Sequence, residues 1–594
     1  MVDNPSRLSV IIIAMPYDPE RITFFAKTDS RGKNVPFGIK AKDRTRHVYV
    51  IGKTGMGKST LLENMAVQDI RNGEGFAFID PHGQTAETLL NYIPEERLKD
   101  VLYFAPHDME YPVSFNVMED VGADKRHLVV SGLMSVFEKI WVDAWSARMA
   151  YILQNTLLAL LEYPDATLLG VNRMLSDKAY RNKVVANIKD PAVRSFWVDE
   201  FAKYNERYMQ EAGDAIKNKI GQFTANPLIR NIIGQPKSSF DIRQIMDEKK
   251  IIIMNLSKGL IGETNANLLG SMLTTRIYLA AMSRADLSAE EMKLKPNFYF
   301  YVDEFQSFAN ATFANILSEA RKYKLNLTIA HQYIEQMEED VRNAVFGNVG
   351  TTIAFRVGPF DAEVLETVFA PKFMAVDLVN LGFAQIYLTL MIDGIGSAPF
   401  SAVTLPPLDH KNQSFKGELI DSSRQQFART RADVEESIAV WHAPIVEEQR
   451  ERKEKTEVKK TAAEPHSRPR EEARPQAPRT EYKPHKLSGG DDHERERKPY
   501  VSKPEAVAIA SVERKPQASK SLDELREVLR NLSKSEDKGE EDKPKDLKSA
   551  LAAVMPEPPR PVPTVEIETD EDHLDPKKLE RMMRVKTDDR TPFK

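Results

Sequence analysis

The stretch "HVYVIGKTGMGKSTLLENMA", residues 47 to 66, runs from an apolar alternation through spaced glycines into a helical pattern. Gly52 and Gly57 with Lys58 and Ser59 fit G-x-x-x-x-G-K-S/T, between a predicted strand and a predicted helix. Glycines let backbone N–H groups turn inward, and a helix N-terminus behind them adds positive potential, so the stretch forms a concave site for phosphate oxygens. The motif assigns Gly52, Lys53, Thr54, Gly55, Met56, Gly57, Lys58, Ser59 and Thr60 to nucleotide binding. Lys58 is expected to bridge the β- and γ-phosphates, Ser59 to ligate Mg²⁺ through its hydroxyl, and Thr60 to lie near the α-phosphate. A chance glycine-rich turn is the competing account, and the order of strand, loop and helix weighs against it.

The 594 residues suffice for two or three compact units, and an apolar fraction of 41% can supply a large core for part of them. With no cysteine, disulfides, thiolate zinc sites and cysteine nucleophiles are excluded. The apolar patch "LSVIIIAM", residues 8 to 15, is too short to span a bilayer, lacks an export signal's flanks, and reads as a buried strand. No window approaches eighteen apolar residues, so membrane contact is expected only through a partner. A net charge of −5 argues against a globally basic nucleic-acid binder, yet a motor can confine its positive groups to one channel.

After about residue 443 the composition shifts to Lys, Arg, Glu, Asp, Pro and Ser, which cannot bury enough apolar area to offset chain entropy. Residues 444–594 are therefore expected to be largely disordered. Two short helical stretches interrupt them, "SLDELREVLRNL" from Ser521 and "DLKSALAAV" from Asp546, either docking peptides or transient helices. Before that boundary lie "VYVIG", "GFAFID", "VLYFA", "IIIMNL", "FYFYVD", "NLTIA" and "TTIAF", separated mostly by helix-length segments. Runs apolar on both faces imply an α/β fold with a mainly parallel sheet. Between the third and fourth runs, residues 120–240 show helical periodicity and almost no strand signal, the pattern of an all-α insertion. The later stretch "AQIYLTLMIDGIGSAPFSAVTL" carries an Asp393-Gly394 turn and suggests an antiparallel hairpin at the sheet edge.

A second constellation completes the loop. "NFYFYVDEFQSFA" ends a hydrophobic strand in Asp303 and Glu304. Beside a phosphate loop, the first acid holds a water on Mg²⁺ and the second orients and polarises the attacking water. Two acids capping the next helix is the alternative. The following strand, "NLTIA", ends in His331 and Gln332, and the Gln332 amide is placed to sense the γ-phosphate. His331 reads as a neighbouring turn residue rather than a base. Between them Arg321 could reach a γ-phosphate in an adjoining subunit of a ring, or lie on a solvated helix face. "DPHG" at 80 to 83 matches the switch motif D-x-x-G but comes too soon, and no N-K-x-D guanine reader follows, so ATP is preferred over GTP.

Taken together, "GKTGMGKST", "FAFIDPHG", "YFYVDEFQSFA", "LSEARKYKLNLTIAHQY" and "FGNVGTTIAFRVG" resemble the TraG/TraD-type coupling ATPases of type IV secretion and conjugation, within the HerA/FtsK superfamily. The likeness covers roughly residues 35 to 405. It implies a RecA-like P-loop NTPase carrying an all-α inserted domain, assembled as a hexameric ring that drives DNA through its centre with ATP. By the same analogy Lys58, Ser59, Asp303, Glu304 and Gln332 take the roles above, Arg321 matches an arginine supplied to the neighbouring subunit, and Arg46 is a weaker candidate for that task. Coupling proteins usually carry an N-terminal pair of membrane helices that this chain lacks, which leaves a soluble variant, a motor docked by another protein, or a HerA-like repair or packaging translocase.

The expected division is a strand segment over 1–35, an ATPase core over 36–119 and 241–408, the insertion over 120–240, a C-terminal helix over 409–443, and the charged tail. The expected function is ATP-driven DNA translocation with sequence-independent, salt-dependent contacts to DNA phosphates. The expected cofactors are ATP and Mg²⁺. The expected placement is cytoplasmic, with peripheral docking at the inner membrane through a secretion-channel partner. A protein-delivery motor and an ATP-gated scaffold are the other hypotheses.

Overall fold

The computed structural model describes residues 17–29, 32–119, 121–409 and 413–442. The segment 8–15, the tail and its two helical stretches lie outside them. The chain enters with an antiparallel pair, β1 (Ile22–Thr28) and β2 (Pro36–Lys40). Seven strands then follow: β3 (Val48–Ile51), β4 (Gly75–Asp80), β5 (Val101–Phe104), β6 (Ile251–Asn255), β7 (Phe298–Val302), β8 (Leu325–His331) and β9 (Thr351–Ala354). Every residue of these seven is buried, as parallel strands covered on both faces require. Next come β10 (Gln385–Thr389), β11 (Met391–Ile392), β12 (Ile395–Gly396) and β13 (Phe400–Thr404).

The large sheet has the order β2-β1-β13-β10-β9-β3-β8-β7-β4-β6-β5. From β9 to β5 all pairings are parallel, and from β9 to β2 all are antiparallel. Side-chain alternation divides the core. Val48 and Val50 face the helix Lys58–Arg71 with Leu61, Leu62 and Met65, while Tyr49 and Ile51 face the opposite layer, which includes the helix Glu263–Met282.

One expectation changes. The hairpin formed by β10 and β13 is antiparallel but lies inside the sheet, because β10 continues onto β9 and β13 onto β1. Between β10 and β13, β11 and β12 pair with each other as a separate two-stranded ladder, and the Asp393-Gly394 turn that joins them has positive φ at both residues, 52 and 84°, as a tight type I′ turn needs. Asp43 fixes that turn, accepting from the N–H groups of Asp393 at 3.0 Å and Gly394 at 2.8 Å. Among the described residues the edges are β5 and β2, and β2 begins with Pro36, which donates nothing to a ladder.

Between β5 and β6 the described elements are helical, among them Arg126–Ile140, Ala147–Leu161, Glu206–Ala225 and Pro227–Ile233. Their starts are written in the sequence: Ser146, Asp177, Asp190 and Asn226 each cap a helix with a side-chain oxygen, and Pro191 and Pro227 occupy the first turn. The segment read as one C-terminal helix is two helices, Lys416–Phe427 and 431–442. They break because Ala428 turns extended and bridges Val113, and Arg431 N–H bonds the Glu110 carbonyl at 2.9 Å. The second helix packs Val434 and Ile438 on Leu169, and Arg173 donates to the Trp441 carbonyl at 3.0 Å. No helix among the described residues is long and apolar enough to cross a membrane.

Beneath the sheet, Arg44 is fully buried against Asp69. Its guanidinium donates to Asp69 Oδ1 at 2.7 Å and Oδ2 at 2.9 Å, to the Tyr301 hydroxyl at 2.7 Å and to Thr23 at 3.1 Å. It also lies 3.7 Å from the centroid of the Tyr299 ring. This cluster fastens β1, β7 and the helix that follows the phosphate loop.

Candidate active site

β8 separates β3 from β7, so three loops open side by side at the carboxyl ends of the parallel strands. The first is Gly52–Gly57, the second begins at Gln332, and the third at Asp303. Gly52 N–H bonds the His331 carbonyl at 3.2 Å and Lys53 N–H bonds the Arg356 carbonyl at 2.8 Å, which seats the first loop between β8 and β9. A Cβ at Gly52 would lie 2.5 Å from the Phe355 Cβ, and Gly57, at φ 111°, starts the helix Lys58–Arg71 from a conformation open to glycine.

Lys58 is buried and folds back, donating to the carbonyls of Gly52 at 2.6 Å and Lys53 at 3.2 Å. Burial lowers its pKa, opposed by the charges of Glu304 and Asp303. Ser59 donates its hydroxyl to Asp303 Oδ2 at 2.8 Å, joining the loop to the acids across 244 positions of sequence. Asp303 is pushed up to about 6 by burial and by the neighbouring Glu304, although the Ser59 hydrogen bond opposes the shift. Thr60 follows in the first turn of the same helix.

Glu304 occupies the left-handed region at φ 48° and ψ 48°. Its Oε2 accepts from Gln306 at 2.7 Å and its Oε1 accepts from the Gln332 amide. The Gln332 oxygen in turn accepts from the Thr54 hydroxyl at 2.8 Å. Hydrogen bonds therefore run without a break from the phosphate loop to the second acid. His331 is the last residue of β8 rather than a turn residue. It is buried 3.1 Å from the Tyr49 hydroxyl, and burial pushes it down to about 3, so its ring is neutral.

Arg321 is not brought to this site. It lies in the 3-10 turn Ala320–Tyr323 at the start of β8, on the order of 20 Å along that strand from Gln332. It is exposed, and burial and the nearby Arg46 lower its pKa, so both arginines sit at the end of the sheet away from the chain's own loop. The "DPHG" motif has a structural role: Asp80 accepts from the N–H groups of His82 at 2.8 Å and Ala86 at 2.9 Å, capping the helix Gln84–Leu90. Two contributors have no motif. Gln306 could have been noticed two places after Glu304; Lys139, which donates to the Gln306 carbonyl at 2.6 Å, left no signal.

A family model described as the central domain of the helicase HerA matches residues 28–277. A second, described as the TraM recognition site of TraD and TraG, matches residues 297–368. The first contains Gly52 to Thr60 and the second contains Asp303, Glu304, Arg321 and Gln332. No curated protein matches. Among solved structures, the unbound bacterial conjugative coupling protein TrwBdeltaN70 aligns at 15% identity over 64% of this chain and 88% of that one, with a TM-score of 0.48. The plasmid coupling protein TrwB with ADP and Mg²⁺ aligns at 15% over 64% and 89%, with a TM-score of 0.47. VirB4 of Thermoanaerobacter pseudethanolicus aligns at 12% over 66% and 97%, with a TM-score of 0.45. One family model thus takes in the phosphate loop and the other the acids and the amide facing it, so the chain is similar to the HerA central domain and, further along, to TraD and TraG.

Proposed function

We propose that the chain is an ATP-hydrolysing motor that moves DNA in conjugation or secretion and works as a ring of subunits, six by analogy with the family it resembles. The observation that carries this reading is the hydrogen-bonded line from Thr54 through Gln332 to Glu304, beside the Ser59–Asp303 contact. A loop that only held nucleotide needs no second carboxylate tied to a polar sensor.

The residues fit Mg²⁺: a hydroxyl and a carboxylate 2.8 Å apart are hard oxygen donors, and burial with Glu304 alongside makes the Asp303 charge costly without a cation. When bound, Mg²⁺ would neutralise charge on the phosphates. Lys58 exchanges the carbonyls of Gly52 and Lys53 for phosphate oxygens, and the helix N-terminus behind it stabilises the same charge. Glu304 orients and polarises a water for attack on the γ-phosphorus. Gln332 loses or regains its bonds to Thr54 and Glu304 as the terminal phosphate leaves, which gives the subunit two states. Arg321, remote from its own loop, acts on the site of the next subunit, so turnover depends on assembly.

Glu304→Gln should bind ATP and stall hydrolysis by about a hundredfold or more. Hydrolysis at the parent rate would remove the role of Glu304. ATPase assays with single- and double-stranded DNA check the motor: stimulation that falls with salt supports it, and none by either form favours protein delivery.

A further inference from the structure

The helix Arg126–Ile140 is the first long helix after β5, and its last turn looks two ways. On one side Lys139 Nζ donates to the Gln306 carbonyl at 2.6 Å and to the Ala309 carbonyl, spanning the 3-10 turn Phe305–Ser307 that follows Glu304. On the other, Phe137 stacks on Trp141 at 5.0 Å and Trp141 on Phe223 of the helix Glu206–Ala225 at 5.7 Å. The helix lies close on the core: a Cβ at Gly132 would meet Thr275 of the helix Glu263–Met282 at 2.4 Å.

The spanned turn is the one that sets the second acid. Ser307 N–H bonds the Glu304 carbonyl at 2.9 Å, and the Gln306 amide holds Glu304 Oε2 at 2.7 Å. A non-glycine residue in the left-handed region costs on the order of 1 kcal/mol and persists where its surroundings over-determine it. Lys258 helps from below through Ser307 Oγ at 3.1 Å, and Ser271 through the Phe308 carbonyl at 3.3 Å. Lys139 alone among these comes from the helical segment between β5 and β6. Burial pushes its ammonium down to about 8, with Glu338 opposing and Lys258 reinforcing, and the two carbonyls accept from it.

We infer that Lys139 is a positioning residue: through the carbonyls of Gln306 and Ala309 it holds Glu304 in place, and it makes hydrolysis depend on the helices stacked on Phe137 and Trp141. This rests on the hydrolytic role given to Glu304 above. A loop displaced by an ångström loses rate while nucleotide affinity, set at Gly52–Thr60, is kept.

The test uses the full chain with Lys139→Met and Lys139→Arg, measuring kcat and KM for ATP, and affinity for a fluorescent ATP analogue. Lys139→Met is expected to lower kcat by about 10- to 100-fold with affinity within about threefold, and Lys139→Arg, which still donates to both carbonyls, to recover most of the loss. If the methionine variant does not fold, Lys139→Gln keeps one donor without the charge, and the same split is expected of it. A parent kcat, or kcat and affinity falling together without recovery by arginine, overturns the inference. Glu304→Gln is run alongside. If it turns over normally, the role of Glu304 has failed; if it stalls while Lys139→Met does not, only the coupling has.

Discussion

Replacing Asp69 by asparagine probes what holds the acid-bearing strand. Asp69 and Arg44 are almost wholly buried, and Asp69 receives two guanidinium bonds and, at 2.5 Å, the hydroxyl of Tyr301, two places before Asp303. Burial alone would lower the Arg44 pKa, but Asp69 and the two tyrosines reverse this and hold it above its ordinary value. Asparagine keeps the shape and loses the charge and one acceptor, while arginine cannot escape by losing a proton. Breaking such a pair from one side costs about 3–5 kcal/mol, whereas replacing both partners by apolar residues of similar volume is often neutral. For a core of this size that is a fall in unfolding midpoint on the order of 4–6 °C. Thermal unfolding by circular dichroism of Asp69→Asn, Arg44→Met and the Arg44→Met/Asp69→Leu double variant measures it. A loss under about 1 kcal/mol in Asp69→Asn, or a double variant as unstable as the singles added, would refute the role of an isolated buried charge.

Acid should also weaken the fold. Burial pushes His47 down to about 4 and His331 down to about 3. The unfolded chain takes up these protons near pH 6.5 and the native chain does not, so the stability is present above about pH 6.5 and is lost as pH falls towards 4. His331→Gln should flatten that slope, and an unchanged slope counts against a neutral buried ring. Mixing tests Arg321: Arg321→Ala and Lys58→Ala should each lack ATPase alone and regain part of it when combined, because intact loops then meet intact arginines. No recovery in mixed assemblies that do form would rule out action between subunits.

The central strands were legible because residues buried on both sides leave unbroken apolar runs, and "FYFYVDE" shows both the strand and the acids at its end. Gln332 was legible for the same reason, as the polar residue past such a run. The antiparallel half was not. "ITFFAKT" alternates only in part, and its neighbour β13 lies beyond residue 399, so nothing local says whether the hairpin is edge or interior. Lys139 was invisible because its acceptors are backbone carbonyls 167 and 170 positions away, and a carbonyl has no residue type. "DPHG" was ambiguous in spelling, since an aspartate that caps a helix reads the same as one that serves a switch, and its place so soon after the loop set the switch aside.

β3 finds its hydrogen-bond partners only in β8 and β9, and Tyr49 waits for His331, 282 positions downstream. At roughly 5–20 residues per second, a ribosome needs between about a quarter of a minute and a minute to supply them. Throughout that interval the nascent lysine-bearing loop has no cradle, and its apolar strand is a target for chaperones rather than a receptor for nucleotide.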